Sequence, residues 1–584
     1  MTITFNINGR DTIIDLKTLV EHAAKLLEKN LIIEADYKPI SPLLIGDFTG
    51  ESYKLVKEPT SGKIIGAYLT GIPTAQQIIG KARWLMRVAI ATTGIASTHK
   101  EAEQTPIVAT IKDSSGKQVS LGPVELAFGN AKKKWKGLLQ IDINITKRLF
   151  IESSLARGDD IVNAIISARN HFIDKIFFGE RETTGKFDNR KKYDIVKYKW
   201  LWRQNRYKTL LARKTDRLNH NIIVVSKENE NKRIYLKEPV SSSKIGSPEF
   251  KMKVLIDEKR LKKILSINKE KQGLVNTALI LAILSIISSP LLLGLGTGTN
   301  RGFGRFKPVN IRLNDYGQYL FEKYTEYNLD ELTEPINILE QLYKLANSLA
   351  AESKLELNKN GSFTGSMYNN LVPILPVKVN TEDLRVFRHE LELETDMDVY
   401  VALGAIGAAA IKNNWITIYK RLKNKDKNRQ YSKISDQLSD KGKMLARKIE
   451  RKHFHTWPLG LPRSVVTKKS RTGYFILDSQ NRLTQGRRQS FISAFYLNNK
   501  IYVIGYPSGD FVNKLLDKIV YVTNSKRLST NKIEDILENV ADIRNGQILN
   551  FSDLNQDPTS YKEFLKVTFG NYMCVLRGLL GVNE

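Results

Sequence analysis

Leu274 to Leu293 (LVNTALILAILSIISSPLLL) is a run of twenty residues without a charge, and it flows directly into a glycine-rich loop. An uncharged run of that length either spans a membrane or forms a helix buried on every side. Pro290 and the Ser288-Ser289 pair interrupt its end, Asn276 and Thr277 stand near its start, and glycines follow at once. The run therefore reads as a core helix leading into a loop, and no membrane partner is expected. A helix buried all round obliges the rest of the chain to supply a layer on each of its sides.

The loop is Gly294-Leu-Gly296-Thr-Gly298-Thr-Asn-Arg301-Gly302-Phe303-Gly304-Arg305, and a strand-forming run, RFKPVNIRL (305–313), overlaps its end. Glycines let the backbone pass through positive φ and approach a ligand closely. Exposed amides in such a loop can cradle phosphate oxygens, and Arg301 and Arg305 would add charge-assisted contacts. No Gly-Lys-Ser/Thr ends the loop, so it is not a Walker A, and the order helix–loop–strand is the reverse of a Rossmann turn. The other reading is a glycine-rich connection that only turns the chain.

Charge bears on that choice. The 584-residue chain carries 91 Lys+Arg against 61 Asp+Glu, a formal net charge of +30, with an isoelectric point near 9.7. An excess of that size repels itself in the compact state and points to a polyanionic partner, nucleic acid above all; the plain alternative is a generally lysine-rich composition. The length suits two or three domains. The single cysteine, Cys574, lies in an apolar stretch and excludes disulfides and multi-cysteine metal sites within the chain. The N-terminus (MTITFNINGRDTIIDL) lacks the basic-then-apolar order of a signal peptide, so a cytoplasmic location is expected.

Residues 1–30 read as an appended strand and amphipathic helix (Leu16, Val20, Ala23, Leu27). From Leu31 an extended run, LIIEADYKPISPLLIG, leads through a loop to Thr74, suited to cap the helix AQQIIGKARWLMRVAIATT. Strands are expected near 105–112, 117–128 and 136–146. Residues from about 150 to 250 look like an insertion: between Arg181 and Arg217, 13 Lys/Arg stand against 4 Asp/Glu, among Tyr193, Tyr198, Trp200, Trp202 and Tyr207. That pattern fits RNA contact or subunit docking, and equally a solvated helix with an aromatic inner stripe. FKMKVLI (250–256) restores a strand. The second half carries helical patterns near 331–352 and 400–422 and a basic linker from Lys420 to Lys452. A hairpin, FISAFYLNNKIYVIGYP, then turns at Asn498-Asn499, and a last helix starts near Asp510. The class is α+β.

A second basic element lies within the first helix: Gly80-Lys81-Ala82-Arg83-Trp84-Leu85-Met86-Arg87. Arg83 and Arg87 are four apart and share a face, with Trp84 beside them. Guanidinium on phosphate and indole on base is the chemistry of single-strand binding; a packed Trp with solvated arginines is the other reading.

The run Ile40-Ser41-Pro42-Leu43-Leu44-Ile45-Gly46, then GKARWLMR, then Glu125-Leu126-Ala127-Phe128-Gly129, then the glycine loop, occur in that order. Together they resemble the RAMP superfamily, and within it the first-numbered Cmr subunit of type III-B CRISPR effectors. Trp457-Pro458-Leu459-Gly460-Leu461-Pro462-Arg463 and Gly486-Arg487-Arg488-Gln489-Ser490 resemble that family's C-terminal signature. The resemblance implies two tandem ferredoxin-like (RAMP/RRM-like) domains with insertions, a first at 31–320 and a second at 321–584, after the 1–30 extension. It further implies a non-nucleolytic subunit, without cofactor or metal, that holds the 3′ region of the CRISPR guide RNA, helps capture target RNA and touches other Cmr effector subunits. Carried over by position, the RNA-binding residues are Lys81, Arg83, Trp84 and Arg87 on the helix and Gly296, Gly298, Arg301, Gly302, Phe303, Gly304 and Arg305 on the loop. Arg463, Arg487 and Arg488 extend the surface in the second domain. The chain departs from the family in carrying Leu85 where a second aromatic often follows.

Some RAMP proteins cut RNA, which without metal requires a general base and acid, usually His. Of seven histidines only His453 and His455 are paired, and at that spacing they would share one strand face. No third ligand stands near them in sequence to complete a metal site. Glu390, Glu392, Glu394, Asp396 and Asp398 form an acidic patch suited to internal salt bridges or a subunit contact, with metal binding as the lesser reading. Two alternatives therefore stand beside the RNA-binding subunit: a RAMP-type endoribonuclease processing guide RNA, and a structural adaptor that binds neighbouring subunits only.

Overall fold

The computed structural model describes residues 2–7, 10–15, 30–41, 43, 53–61, 64–69, 72–112, 116–147, 150–154, 235–236, 248–296, 298–325, 333–353, 372–379, 382–393, 399–410, 459, 463–466, 471–477, 483–484, 490–508, 519–522, 565–566, 568–573 and 576–577. In chain order the main elements of the first half are β1 (Leu31–Pro39), α1 (Ala75–Thr92), α2 (His99–Gln104), β2 (Ala109–Lys112), β3 (Gln118–Leu121) and α3 (Pro123–Phe128). They continue with β4 (Leu139–Lys147), β5 (Glu249–Ile256), α4 (Glu258–Ile267), α5 (Gln272–Leu292), β6 (Phe306–Leu313) and α6 (Asp315–Tyr324).

β1, β4, β5 and β6 form one antiparallel sheet in the order β6-β1-β5-β4, so the last strand of the set lies outside the first. Side chains alternate across it, as the period of two in a strand requires. Ala35 and Tyr37 of β1 and Phe250, Met252 and Val254 of β5 are buried. Tyr37 stacks on Phe250 with ring centroids 4.7 Å apart, and Phe250 meets Phe306 edge-on at 5.1 Å. Between them on the other face stand Glu34, Lys251 and Lys253, and Lys251 Nζ donates to Glu34 Oε1 at 2.8 Å. The aromatic residues of these strands thus face the helices, and the open face is an ion-pair lattice rather than a stacking platform.

α5 is the buried helix expected from its composition: every residue from Leu274 to Leu292 is buried. It lies against α1, α3 and β6, and on a further side against α7 (Pro335–Glu352). The apolar run is consumed by the core of the protein itself. Its polar residues are satisfied locally. Ser285 and Ser288 donate to the carbonyls four residues back, and Tyr316 Oη donates to Asn276 at 3.1 Å. Pro290 has no amide to offer Ile286 O, and Ser289 Oγ donates to that carbonyl instead, at 3.2 Å.

Two local expectations change. Residues 117–128 do not form one strand: β3 ends at Leu121 and α3 begins at Pro123. Pro at the first helical position and Glu125, whose carboxylate accepts from Gly122 N at 3.1 Å, start a helix there. The N-terminal strand is a hairpin, Thr2–Ile7 with Arg10–Asp15, and the helix expected through Leu16 to Leu27 lies outside the described residues. The insertion's flanks, Phe150–Ser154 and Tyr235–Leu236, pair with each other, and the first of them joins the hairpin Tyr53–Lys57 with Ile64–Leu69. Residues 181–217, the 420–452 linker and the helix from Asp510 lie outside the described residues.

The second half has β7 (Arg388–Glu392), α8 (Val399–Ala409), β8 (Ile492–Leu497) and β9 (Lys500–Gly505), with an antiparallel sheet ordered β7-β9-β8. The β8–β9 turn is Asn498-Asn499, both at positive φ (49° and 59°), as the pair's chemistry indicates. A further antiparallel sheet contains Arg463–Val466, Arg471–Leu477, Leu483–Thr484 and Ile519–Val522. The fold is α+β with antiparallel sheets.

Between α5 and β6 the glycine loop folds back on itself. Leu295 N donates to Gly304 O at 2.8 Å, and a Cβ on Gly304, whose φ is +65°, would stand 1.9 Å from Leu295 O. Gly304→Ala is therefore expected to lose roughly 3 kcal/mol or more. Gly80, in mid-helix with nothing within 4 Å of a built Cβ, should gain about 0.5–1 kcal/mol as Gly80→Ala. Thermal unfolding of the two variants beside the parent reads both signs.

Candidate nucleic-acid interface

The geometry of the loop is set by one side chain. Arg305 is fully buried (0 % exposed), and its guanidinium donates to Leu291 O at 2.7 Å, Thr299 O at 2.8 Å and Ser493 Oγ at 2.5 Å. Leu291 O is one of the last four carbonyls of α5, which have no intrahelical partner, so the cation caps the negative end of the helix. Phe495 lies under the guanidinium at 4.5 Å. The Arg305 amide donates to Ser41 Oγ at 2.8 Å, which gives the Ile40-Ser41-Pro42 run a structural role. Ser493 and Phe495 belong to β8, so Arg305 ties the two halves of the chain together.

Other loop residues serve the same junction. Phe303 is 1 % exposed. A Cβ on Gly302 would stand 2.8 Å from Leu403 Cδ2 and 3.1 Å from Ala494 O, so the glycine admits the second half at close range. Gly298 and Gly302, both left-handed, bound the short turn Thr299–Arg301, and Gly296 is left-handed as well. The expectation that Phe303 and Arg305 grip RNA is corrected by this burial: both are internal, and the guanidinium is spent on protein oxygens. Arg301 is partly exposed on the turn.

Lys81, on α1, stands beside this centre. It is half-buried, and burial together with the Arg305 charge pulls its ammonium down to about 8. No ion pair or hydrogen bond holds it among the described residues. Among the described residues two buried donors nearby make no hydrogen bond, Arg305 Nε and Tyr506 Oη. Burial raises the Tyr506 phenol above its ordinary range and the Arg305 charge opposes that shift, so the hydroxyl keeps its proton at neutral pH. Gly80 adds a helix position with open space where a side chain would stand. Among the described residues no carboxylate is bonded to Lys81 or Arg305, and Lys81 is the partly exposed member of this pair of cations.

Arg83 and Arg87 share a face as expected, but both guanidinium groups converge on Glu103 of α2, Arg83 Nη2 at 2.9 Å and Arg87 through an equally direct contact. Trp84 is partly buried against the core and meets Tyr506 edge-on at 5.2 Å, so the packed reading of this indole describes its setting. Leu85 is buried. Arg463 begins a strand, while Arg487 and Arg488 lie outside the described residues. The structure thus brings Lys81, Trp84 and the glycine loop to one junction, while Arg83 and Arg87 are engaged by Glu103. Ser493, Phe495 and Tyr506, which complete the junction, and Glu103, which holds the arginine pair, had no signal in sequence.

The other candidates for chemistry are occupied or lie elsewhere. Lys500 engages Glu390 directly and Glu392 at 3.1 Å, so the salt-bridge reading describes this part of the acidic patch. Glu394, Asp396, Asp398, His453 and His455 lie outside the described residues. His389 stacks on Phe569 at 5.7 Å, and burial, with the Arg577 charge, pushes its imidazole below the ordinary range. Among the described residues no group of three or more His, Cys, Asp and Glu is placed to hold a metal.

No protein-family model matches the sequence, and no curated relative matches it either. Solved structures similar to the chain include the type III-B Cmr-beta complex bound to cognate target RNA and AMPPnP in the presence of ssDNA. That match has a TM-score of 0.35 at 14 % identity and covers 82 % of this chain and 94 % of the other. Cmr1 from Pyrococcus furiosus in its apo form is also similar, with a TM-score of 0.30 at 11 % identity, covering 86 % of this chain and 92 % of the other. Cmr1 is the first-numbered Cmr subunit, the one whose motifs the sequence resembles. Identity and TM-scores this low decide neither fold nor function.

A lysine that titrates lower when folded than when unfolded costs the folded state stability below its folded pKa. Stability rises with pH between about 8 and the free-lysine value, because there the unfolded chain holds the extra proton. Lys81→Met should therefore raise the Tm of the free protein at pH 7, with the gain shrinking towards pH 10. A lower Tm at pH 7 would mean that the ammonium has an internal partner.

Proposed function

We propose that the chain is a non-catalytic RNA-binding subunit of a type III-B CRISPR (Cmr) effector, acting at the 3′ region of the guide RNA and aiding target RNA capture in the cytoplasm. The observation that carries this reading is Lys81: a half-buried ammonium with no ion pair or hydrogen bond among the described residues, beside the buried Arg305 that shapes the glycine loop. Phosphate is the anion that a chain of net charge +30 meets on nucleic acid. Two ferredoxin-like RAMP domains, at 31–320 and 321–584, are part of the proposal. The order β6-β1-β5-β4 with helices α1 and α5 between strands is the β-α-β-β-α-β arrangement. The order β7-β9-β8, with α8 after the first strand, repeats its first three strands.

In this reading Lys81, Arg301 and the amides at Gly296 and Gly298 contact phosphate, while Arg305, Phe303, Gly302 and Gly304 hold the loop in shape. Arg83, Trp84 and Arg87 border the site, and Arg463, Arg487 and Arg488 would extend it. Sequence readout would come from guide–target pairing, because phosphate contacts carry none. Neighbouring Cmr subunits are the other partners.

Binding of labelled single-stranded RNA across a salt series, with products run on a denaturing gel, tests the reading. The parent should bind with a steep salt dependence and leave the RNA intact. Lys81→Met should weaken binding roughly tenfold and lower the slope of log K against log salt by about 0.7. Affinity of the parent should fall as pH rises through 8, and Lys81→Arg, charged throughout, should flatten that profile. Defined cleavage products would favour the endoribonuclease, and absent binding the adaptor.

A further inference from the structure

A second cationic surface lies at the opposite end of the first sheet. Pro39 pairs with Phe306 at the end where the glycine loop delivers β6. Leu139 pairs with Ile256 at the other, and a turn of lysines, Ala131-Lys132-Lys133-Lys134-Trp135-Lys136, leads into β4 there. The strand between the two ends is roughly 25 Å long at about 3.3 Å per residue.

The turn is built rather than loose. Asn130 N donates to Trp135 O at 2.8 Å and Trp135 N to Asn130 O at 3.0 Å. Lys133 Nζ and Asn130 Nδ2 both reach the buried Glu125 carboxylate at 2.6 Å. Lys134 adopts a left-handed φ of 49°, and the Arg260 guanidinium lies 4.0 Å over the Trp135 ring. One lysine of the turn is thus spent as an anchor, and Lys132, Lys134 and Lys136 are held exposed around it. Arg260 brings the start of α4 alongside, where Lys259 and Lys263 are exposed one turn apart.

None of Lys132, Lys134, Lys136, Lys259 and Lys263 has an ion pair among the described residues; Lys262 pairs with Glu258, and Arg260 lies 3.9 Å from Asp257. Five ammonium groups without an ion pair among the described residues, on a backbone held by the turn and the helix, repel one another until a polyanion approaches. The Trp135 ring is already covered by Arg260 and Phe128 packs against the core, so the surface offers charge rather than the apolar anchor on which protein interfaces rely.

We propose that the Lys132–Lys136 turn and the start of α4 form a second contact for the sugar–phosphate backbone of single-stranded RNA, separate from the Lys81 centre. At about 3.4 Å per stacked nucleotide the gap corresponds to roughly 7 nucleotides, so one strand of moderate length can engage both and gain from the linkage.

The test is the variant Lys132→Ala/Lys134→Ala/Lys136→Ala, which keeps Lys133, Asn130 and Trp135, with Lys→Gln at the same three positions as a second version that retains the stems. Each is measured alone and with Lys81→Met against a labelled single-stranded RNA of about 25 nucleotides in a salt series, with thermal unfolding alongside. At unchanged Tm, affinity should fall about tenfold or more, and the slope of log K against log salt should drop by about 2, at roughly 0.7 for each lost contact. Adding Lys81→Met should weaken binding further. A loss in the triple variant with none in Lys81→Met would keep this surface and remove the other. Parent affinity and slope in both triple variants would overturn the proposal, as would intact RNA binding with lost assembly onto neighbouring subunits.

Discussion

The guanidinium of Arg305 is the contact on which the rest of the arrangement depends. A charge buried with no carboxylate bonded to it is costly unless dipoles replace water around it. Here the replacement is specific: the carboxyl end of the most apolar helix, the carbonyl of Thr299 in the loop, the hydroxyl of Ser493 and the ring of Phe495. The same cation that satisfies an orphan carbonyl of α5 therefore also fixes the loop and joins it to β8. Removing it would strand several acceptors at once, each worth about 1 kcal/mol or more.

That role explains the composition of the loop. Gly302 and Gly304 are needed where the second half and Leu295 approach closely, and Gly294, at φ 66°, ends α5 beside Arg305. Much of the glycine-and-arginine pattern thus serves packing. The rim of the loop carries the half-buried Lys81, the partly exposed Arg301 and the left-handed Gly296 and Gly298. Burial first, and then the charge of the internal Arg305 beside it, pull the Lys81 ammonium down to about 8.

The elements legible in sequence were those whose causes are local. Thr74 accepts from Gln77 N at 3.3 Å as a helix cap should, Asn498-Asn499 turn the hairpin, and the uncharged run became a helix with protein on every side. The helix at Pro123–Phe128 was hidden because QVSL and VELAF read as one β-rich stretch, although Pro123 and Glu125 carried the start signal. The site was legible only in part. Lys81 and the loop could be picked out, but Ser493, Phe495 and Tyr506 come from strands far along the chain, and nothing in the Arg83–Arg87 spacing announces Glu103. Arg305 is internal, where its guanidinium holds protein oxygens, because a motif states residue types and not which way they face.

Amide hydrogen exchange on Arg305→Met tests most directly whether this side chain joins the halves. Faster exchange is predicted both in residues 294–305 and in Ile492–Leu497, with β5 unchanged. Faster exchange confined to the loop, with β8 as protected as in the parent, would contradict the account.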